Sequence, residues 1–277
     1  MKRNYYITAL IKTVLIGALS ILFILPLVWM ICSSLKTTSE VFARPYYWLP
    51  KVARWDNYAV VWTDEKVSML RSYYNSIKIV IFSTIGQIAI ASMAAYAFAK
   101  IKFAGKNLVF LLFLSSMMIP SQVTIIPRFM LFKSMGLYNN HWAIILPSWF
   151  GATAIFMLRQ FYMGLPDDLM EAAKIDGAGH VRIFSQVMLP LTKSAMVSLV
   201  VLAFIAAWNE YMSPLIFITD THKYTIAQAI RWYLLDELQR YELTMASATS
   251  AIVPAVILFI FCQKYFVEGI ATAGVKG

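Results

Sequence analysis

Roughly six apolar runs of about 20 residues dominate this chain, each the length a helix needs to cross a hydrocarbon core about 30 Å thick. They lie near Thr13–Cys32, Ser76–Ala99, Asn107–Ile126, Trp142–Phe161, Ala195–Ile218 and Met245–Phe266. Lipid offers backbone amides no water, so such runs must satisfy their own hydrogen bonds and read as helices. Composition agrees: 60% of the 277 residues are hydrophobic and 14% charged, against about 45–50% and about 25% in soluble domains. The expected fold is an all-α membrane protein, one transmembrane domain over 1–277 with six transmembrane helices. The first run is long and lacks a small-residue cleavage pattern behind it, so it is read as a span and not as a cleaved leader.

Orientation follows from Lys and Arg in the short connections. Lys2 and Arg3 precede the first span, Lys100, Lys102 and Lys106 crowd the second connection, and Arg159, Lys174, Arg182 and Lys193 mark the fourth. The third has only Arg128 and Lys133, and the bases of the fifth are partly balanced by Asp220, Asp236, Glu237 and Glu242. Both termini and the connection 162–194 are therefore expected in the cytoplasm, and the loop 33–75, rich in Tyr, Trp and Pro, outside. The formal charge of +10 is spread through the connections and not gathered in a stripe, so it reads as a topological bias and not as a nucleic-acid surface.

Signs of self-contained chemistry are missing. "GKN" at Gly105–Asn107 has Lys100 where a phosphate-binding loop needs its first Gly, and Asn where it needs a hydroxyl. ATP hydrolysis by this chain alone is not expected. His141, His180 and His222 sit in connections without metal-ligand spacing, Cys32 and Cys262 read as small hydrophobes, and no nucleophile elbow occurs.

Polar groups inside spans are costly unless they face a cavity or a partner. The fifth run holds Trp208, Asn209, Glu210 and Tyr211, followed by Pro214. Pro214 deprives the Glu210 carbonyl of its normal partner, so a locally opened polar site can meet a hydrophilic solute; an interfacial Glu210 paired with a neighbouring helix is the plainer alternative. Gln87 and Gln122 are weaker candidates, with interhelical hydrogen bonding as their plainer role. Pro26, Pro120, Pro147, Pro214 and Pro254 predict bent helices.

The connection "PDDLMEAAKIDGAGHVRIFSQVMLP" is polar and helix-friendly. Asp168 and Glu171 are spaced as an acidic capping box, and Gly177 can end the helix in the left-handed conformation. This predicts a helix of roughly nine residues, about 14 Å long. Leu169, Met170 and Ile175 read as anchors, and Ala172 and Ala173 permit close approach. A second segment after Gly179 packs back through Ile183, Phe184, Val187 and Met188, and Pro190 stops it. Such a helix–turn–helix on a membrane surface is suited to being gripped by a soluble partner; a helix lying on lipid would show a clearer apolar stripe.

Here the residues resemble a known family. Glu171, Ala172, Ala173, Asp176, Gly177, Ala178, Phe184, Leu189 and Pro190 match the E-A-A-x-x-D-G-A loop of the inner-membrane permease subunits of ABC importers. "AAYAFAK", "MIPSQVTIIP", "WNEY" and the ending "QKYFVEGIATAGVKG" are similar to the carbohydrate-uptake branch, specifically its shorter maltose-type component. Ser194 departs from the second Pro that many members carry. The resemblance implies a type I permease fold with six core helices in the bacterial inner membrane. Its implied partners are a homologous permease, two copies of a cytoplasmic ABC ATPase that carries ATP and Mg, and an extracytoplasmic sugar-binding protein. It makes the E-A-A loop a coupling helix seated in a cleft of the ATPase, and suggests that the tail Gly274, Val275, Lys276 and Gly277 reaches the ATPase interface. Gln122, Trp208, Asn209, Glu210 and Tyr211 are the expected pathway residues. A permease for a non-sugar solute is the nearest rival; an ATP-independent secondary transporter predicts inverted repeats or clustered intramembrane acids, and neither is seen.

Overall fold

A computed structural model describes residues 2–235 and 238–274 of the chain, 76% helix and without strands among the described residues. Two compact units emerge, one gathering the chain up to Leu70 with Ala229–Val253, the other Arg71–Gln228 with the chain from Pro254 on.

In the first unit, α1 (Lys2–Ser34) carries a very apolar segment, Ala9–Ser34, none of whose most apolar 18-residue stretch is buried within the protein. Only a lipid or protein neighbour suits such a helix. Two short helices follow, α2 (Thr38–Val41) and α3 (Asp56–Thr63). Val41 and Val61 are fully buried, and polar side chains hold the helices in place as well. Lys36 is fully buried; its ammonium donates to the Tyr47 carbonyl at 2.6 Å and lies over the Tyr46 ring. Asn57 donates to the carbonyls of Ser34 and Lys36, Thr38 to Glu242 at 2.8 Å, and Trp62 to Ser250. Because α1 runs through Ser34 and α4 (Met69–Lys100) starts early, the expected loop 33–75 narrows to 35–68.

The second unit contains most of the apolar helices. After α4 come α5 (Lys106–Ser115) with a 3-10 turn to Met118, α6 (Ser121–Ser134), α7 (Trp142–Ser148) and α8 (Ala152–Met163). Next are α9 (Asp168–Ile175), α10 (His180–Leu191), α11 (Lys193–Trp208) and α12 (Met212–Phe217). The chain closes with α13 (Ile226–Leu234) and α14 (Tyr241–Gly274), which run across the boundary between the units. Ala91, Ala95 and Tyr96 of α4, Ile155, Leu158 and Tyr162 of α8 and Leu199 of α11 form its main apolar core.

Four segments are long and apolar enough to cross a membrane: Ala9–Ser34, Met69–Lys100, Trp142–Met163 and Tyr241–Gln263. Two further candidates are bent pairs, so the described residues hold four to six spans. Where one helix was expected over Asn107–Ile126, the chain turns by 99° between Met118 and Ser121. Ile119 is extended, at φ −85° and ψ 115°, as the clash with the following Pro120 ring favours. The run Ala195–Ile218 is likewise interrupted: α11 ends at Trp208, Asn209–Tyr211 leave the helix, and α12 is a separate short turn. Pro26 and Pro254 sit inside continuous helices, so proline alone does not break them.

Candidate functional site

The polar connection forms an elbow of two helices. Its capping differs from the sequence expectation: Asp167, not Asp168, precedes the helix, and no side chain caps it. The Asp167 carboxylate is engaged elsewhere, by the Lys100 ammonium at the end of α4, which also donates to the Leu165 carbonyl at 2.7 Å. That ion pair, with Lys102 and Lys106 nearby, holds the Asp167 carboxyl below the usual range. The Lys100 side chain is 5% exposed, so the second span grips the root of the elbow.

The far end of α9 matches the expectation. Gly177 has φ +76°, the left-handed region where a Cβ is strained. Gly177 N–H donates to Lys174 O and Ala178 N–H to Ala173 O, both at 2.9 Å. These are the paired bonds of a Schellman motif, which satisfy carbonyls that the helix end would leave open. The order Ala173, Asp176, Gly177, Ala178 thus has a backbone reason: Ala173 and Ala178 are half-buried against the core, and only Gly is relaxed between them.

Of the expected anchors, Met170 alone packs inward, 4% exposed, with Ile183 and Met188 of α10 fully buried beside it. Leu169 and Ile175 instead point out; Ile175 is 87% and Val181 82% exposed, and Glu171, Ala172 and Asp176 are exposed with them. Phe184 is half-buried and meets the Tyr96 ring at 5.3 Å, while the Tyr96 hydroxyl is 3.3 Å from His180 Nδ1. Pro190 does not stop α10. Residues Ile183–Met188 widen into π-helix, with Leu189 N–H bonded to Phe184 O, and the helix continues through Pro190 to Leu191. A proline needs relief from the carbonyl four residues back, and a π turn supplies it. At Thr192 the chain bends by 79° into α11, and Ser194 lies in the first turn of that helix.

The five expected pathway residues are not brought together. Gln122 is exposed on the first turn of α6. Trp208 is buried, stacked on Phe204 and edge-on to Tyr73. Asn209 is exposed and turns its amide back to Ile205 O, and Tyr211 lies in the break before α12. Of the five, Glu210 is the one that lines the cavity of about 280 Å³ bounded by α4, α6, α7, α11, Gly151 and the turn into α12. Gln87, the weaker sequence candidate, lines it too.

Arg128 reaches the same cavity, although the sequence offered it only as a loop charge. The 99° turn places it in the middle of α6, where its guanidinium donates to Ser213 Oγ at 3.0 Å and lies over the Phe217 ring. Ser213 N–H in turn donates to Glu210 Oε1 at 2.8 Å, so one residue links the cation and the carboxylate. A detectable signal was present: Arg128 is flanked on both sides by apolar residues in "TIIPRFMLF". Two glycines near the cavity make room for packed side chains, one of them Gln87 of the wall. A Cβ on Gly86 would lie 2.0 Å from Trp149 Nε1, which donates to Phe82 O, and one on Gly151 would lie 2.4 Å from Gln87 Nε2.

Gly274 ends α14, and Val275, Lys276 and Gly277 lie outside the described residues.

Comparison with known proteins agrees with this architecture. Residues 87–272 match the family described as the binding-protein-dependent transport system inner membrane component. The arabinooligosaccharides transport system permease protein AraQ of Bacillus subtilis is 32% identical over 262 residues, covering 94% of this chain and 92% of that one. The sn-glycerol-3-phosphate transport system permease protein UgpE of Yersinia pestis is 32% identical over 266 residues, covering 92% of each. A chain from a crystal structure of a bacterial ABC transporter involved in the import of the acidic polysaccharide alginate superposes with a TM-score of 0.83 at 22% identity, covering 95% of this chain and 98% of that one. The chain belongs to the binding-protein-dependent transport system inner membrane component family, the multi-pass membrane permease subunits of ABC transporters, and is not itself a catalytic enzyme.

Proposed function

We propose that the chain is one half of the translocation pathway of an ATP-driven sugar importer in the bacterial inner membrane, with six passes and both termini in the cytoplasm. The elbow α9–α10 is its coupling element. Glu171, Ala172, Asp176 and Gly177 lie on or beside the surface offered to a cleft of the ATPase, and Ala173, Ala178, Phe184 and Pro190 hold the elbow's shape. The family implies a companion permease, an ATPase and a solute-binding protein; two ATPase copies and an extracytoplasmic sugar-binding protein complete the proposed assembly. The tail Gly274–Gly277 is a second proposed ATPase contact.

One observation carries this reading: the elbow is outwardly exposed yet fastened to the bundle by Met170, Ile183, Met188 and Lys100. A ligand shifts a two-state equilibrium only through its different affinity for the two states. ATP-driven closure of the ATPase can therefore move the spans only if the gripped helix and bundle move as one body. The similarity to permeases of arabinooligosaccharide and sn-glycerol-3-phosphate systems supports a polyhydroxylated solute.

The test is co-purification with the ATPase and companion permease, followed by a screen of saccharides for stimulation of ATP hydrolysis. Saccharide-dependent stimulation is expected. Stimulation by amino acids alone overturns the solute class, and transport by the purified chain without an ATPase overturns the reading entirely.

A further inference from the structure

We infer that the Arg128–Glu210 cavity is a solute subsite on this subunit, shaped for one neutral sugar ring and selective against acidic ones. The inference rests on the permease reading above and adds to it a place and a charge rule.

Ser83 is a lining residue of the cavity, 2% exposed, and its hydroxyl is buried without a hydrogen-bond partner. Arg128 Nε is also buried without a partner, although Nη2 of the same guanidinium is bonded to Ser213. Buried polar atoms are normally paired, and two unpaired ones on one cavity wall call for an occupant with oxygen acceptors. Beside them stand Gln87 and Glu210, so the wall offers donors and acceptors together. A sugar hydroxyl, which does both, satisfies either kind.

Charge narrows the class further. Arg128 and Glu210 are the charged residues of the lining, and they cancel. An acidic solute would gain Arg128 but would set its own anion near the Glu210 carboxylate, and like charges in a confined site repel strongly. A neutral ring incurs no such penalty. Its C–H faces also find matching apolar wall in Ile79, Ile144 and Pro147. The volume, about 280 Å³, lies at the small end of ligand sites, which run from about 300 Å³ upward, and suits one ring of an oligosaccharide and not several.

The test uses the assembled importer with its companion permease and ATPase, in proteoliposomes, carrying Cys32→Ser and Cys262→Ser and a single reporter, Ser148→Cys, on the cavity wall. Alkylation by a small maleimide is timed with D-glucose, L-arabinose, D-glucuronate or no sugar present. A neutral sugar present at about twice its Kd or more is expected to slow labelling about threefold or more, and glucuronate is expected not to. Glu210→Gln should let glucuronate protect as well, and Ser83→Ala should weaken protection by the neutral sugars. Ala207→Cys serves as the reporter if Ser148→Cys does not assemble. The inference is overturned if no sugar protects, if glucuronate protects equally with Glu210 in place, or if the companion permease alone covers the reporter. Any of these with saccharide-stimulated ATPase intact removes the subsite and leaves the permease reading standing. Failure of the chain to bind an ATPase removes the permease reading instead.

Discussion

The elbow and the cavity are both interruptions of helix, but they are finished in opposite ways. At Gly177 the Schellman bonds satisfy the helix end, apolar anchors fasten it from beneath, and the exposed surface carries Glu171, Asp176, Ile175 and Val181. At Asn209–Tyr211 the helix is left open, Glu210 lines the adjoining cavity, and the buried Ser83 hydroxyl and Arg128 Nε of the lining residues have no hydrogen-bond partner. A closed interruption transmits force as a rigid piece, whereas an open one is stabilised by what enters it. The two regions therefore suit the two tasks of a transporter, being moved and being filled.

The largest expected effect comes from opening the closed interruption. Gly177→Pro cannot adopt φ +76°, because the ring holds φ near about −65°, and it deletes the donor to Lys174 O; such losses are worth about 3 kcal/mol or more. Uptake should be abolished while membrane insertion, followed by surface labelling, stays normal. Loosening the anchors comes next. Met170→Ala or Ile183→Ala empties a packed position under the elbow, at about 2–5 kcal/mol, and should uncouple solute-stimulated from basal ATP hydrolysis.

A smaller effect separates the two regions. Gly151→Ala displaces the Gln87 amide, the flexible end of a side chain that lines the cavity, at little cost in packing. It should alter solute response while leaving the thermal unfolding midpoint nearly unchanged and ATPase co-purification intact, because the elbow is untouched. Smallest is the pH response of the Lys100–Asp167 pair. The Asp167 carboxyl is held below its unfolded value of about 3.9, so its contribution is fully present above that value and fades only as pH falls further. Hydrogen exchange of the α9 amides in nanodiscs should be no more protected by the pair at pH 8 than at pH 6, and Asp167→Asn should remove only the change seen in strong acid.

The contrast also sorts what was legible in the sequence. Apolar runs located the helices, and Gly177 announced the end of α9, because both signals are local. Glu171 of the same local pattern is exposed on the outer face of α9. The 99° turn at Ile119–Pro120 escaped because summed hydropathy carries no backbone direction, and with it went the role of Arg128. Asp168 looked like the cap because its spacing to Glu171 is right; the actual arrangement depends on Lys100, 67 residues away in sequence. Leu169 and Ile175 looked like anchors because they are apolar, yet both stand exposed on the outside of the elbow.

The most direct measurement is a cross-link from the exposed face of the elbow. Ile175→Cys, in a chain also carrying Cys32→Ser and Cys262→Ser and assembled with its partners, should join to a cysteine in the ATPase cleft and freeze saccharide-stimulated ATP hydrolysis until the link is reduced. Cross-linking to the companion permease alone, or full stimulation with the link in place, would contradict the claim that this elbow couples the ATPase to the spans.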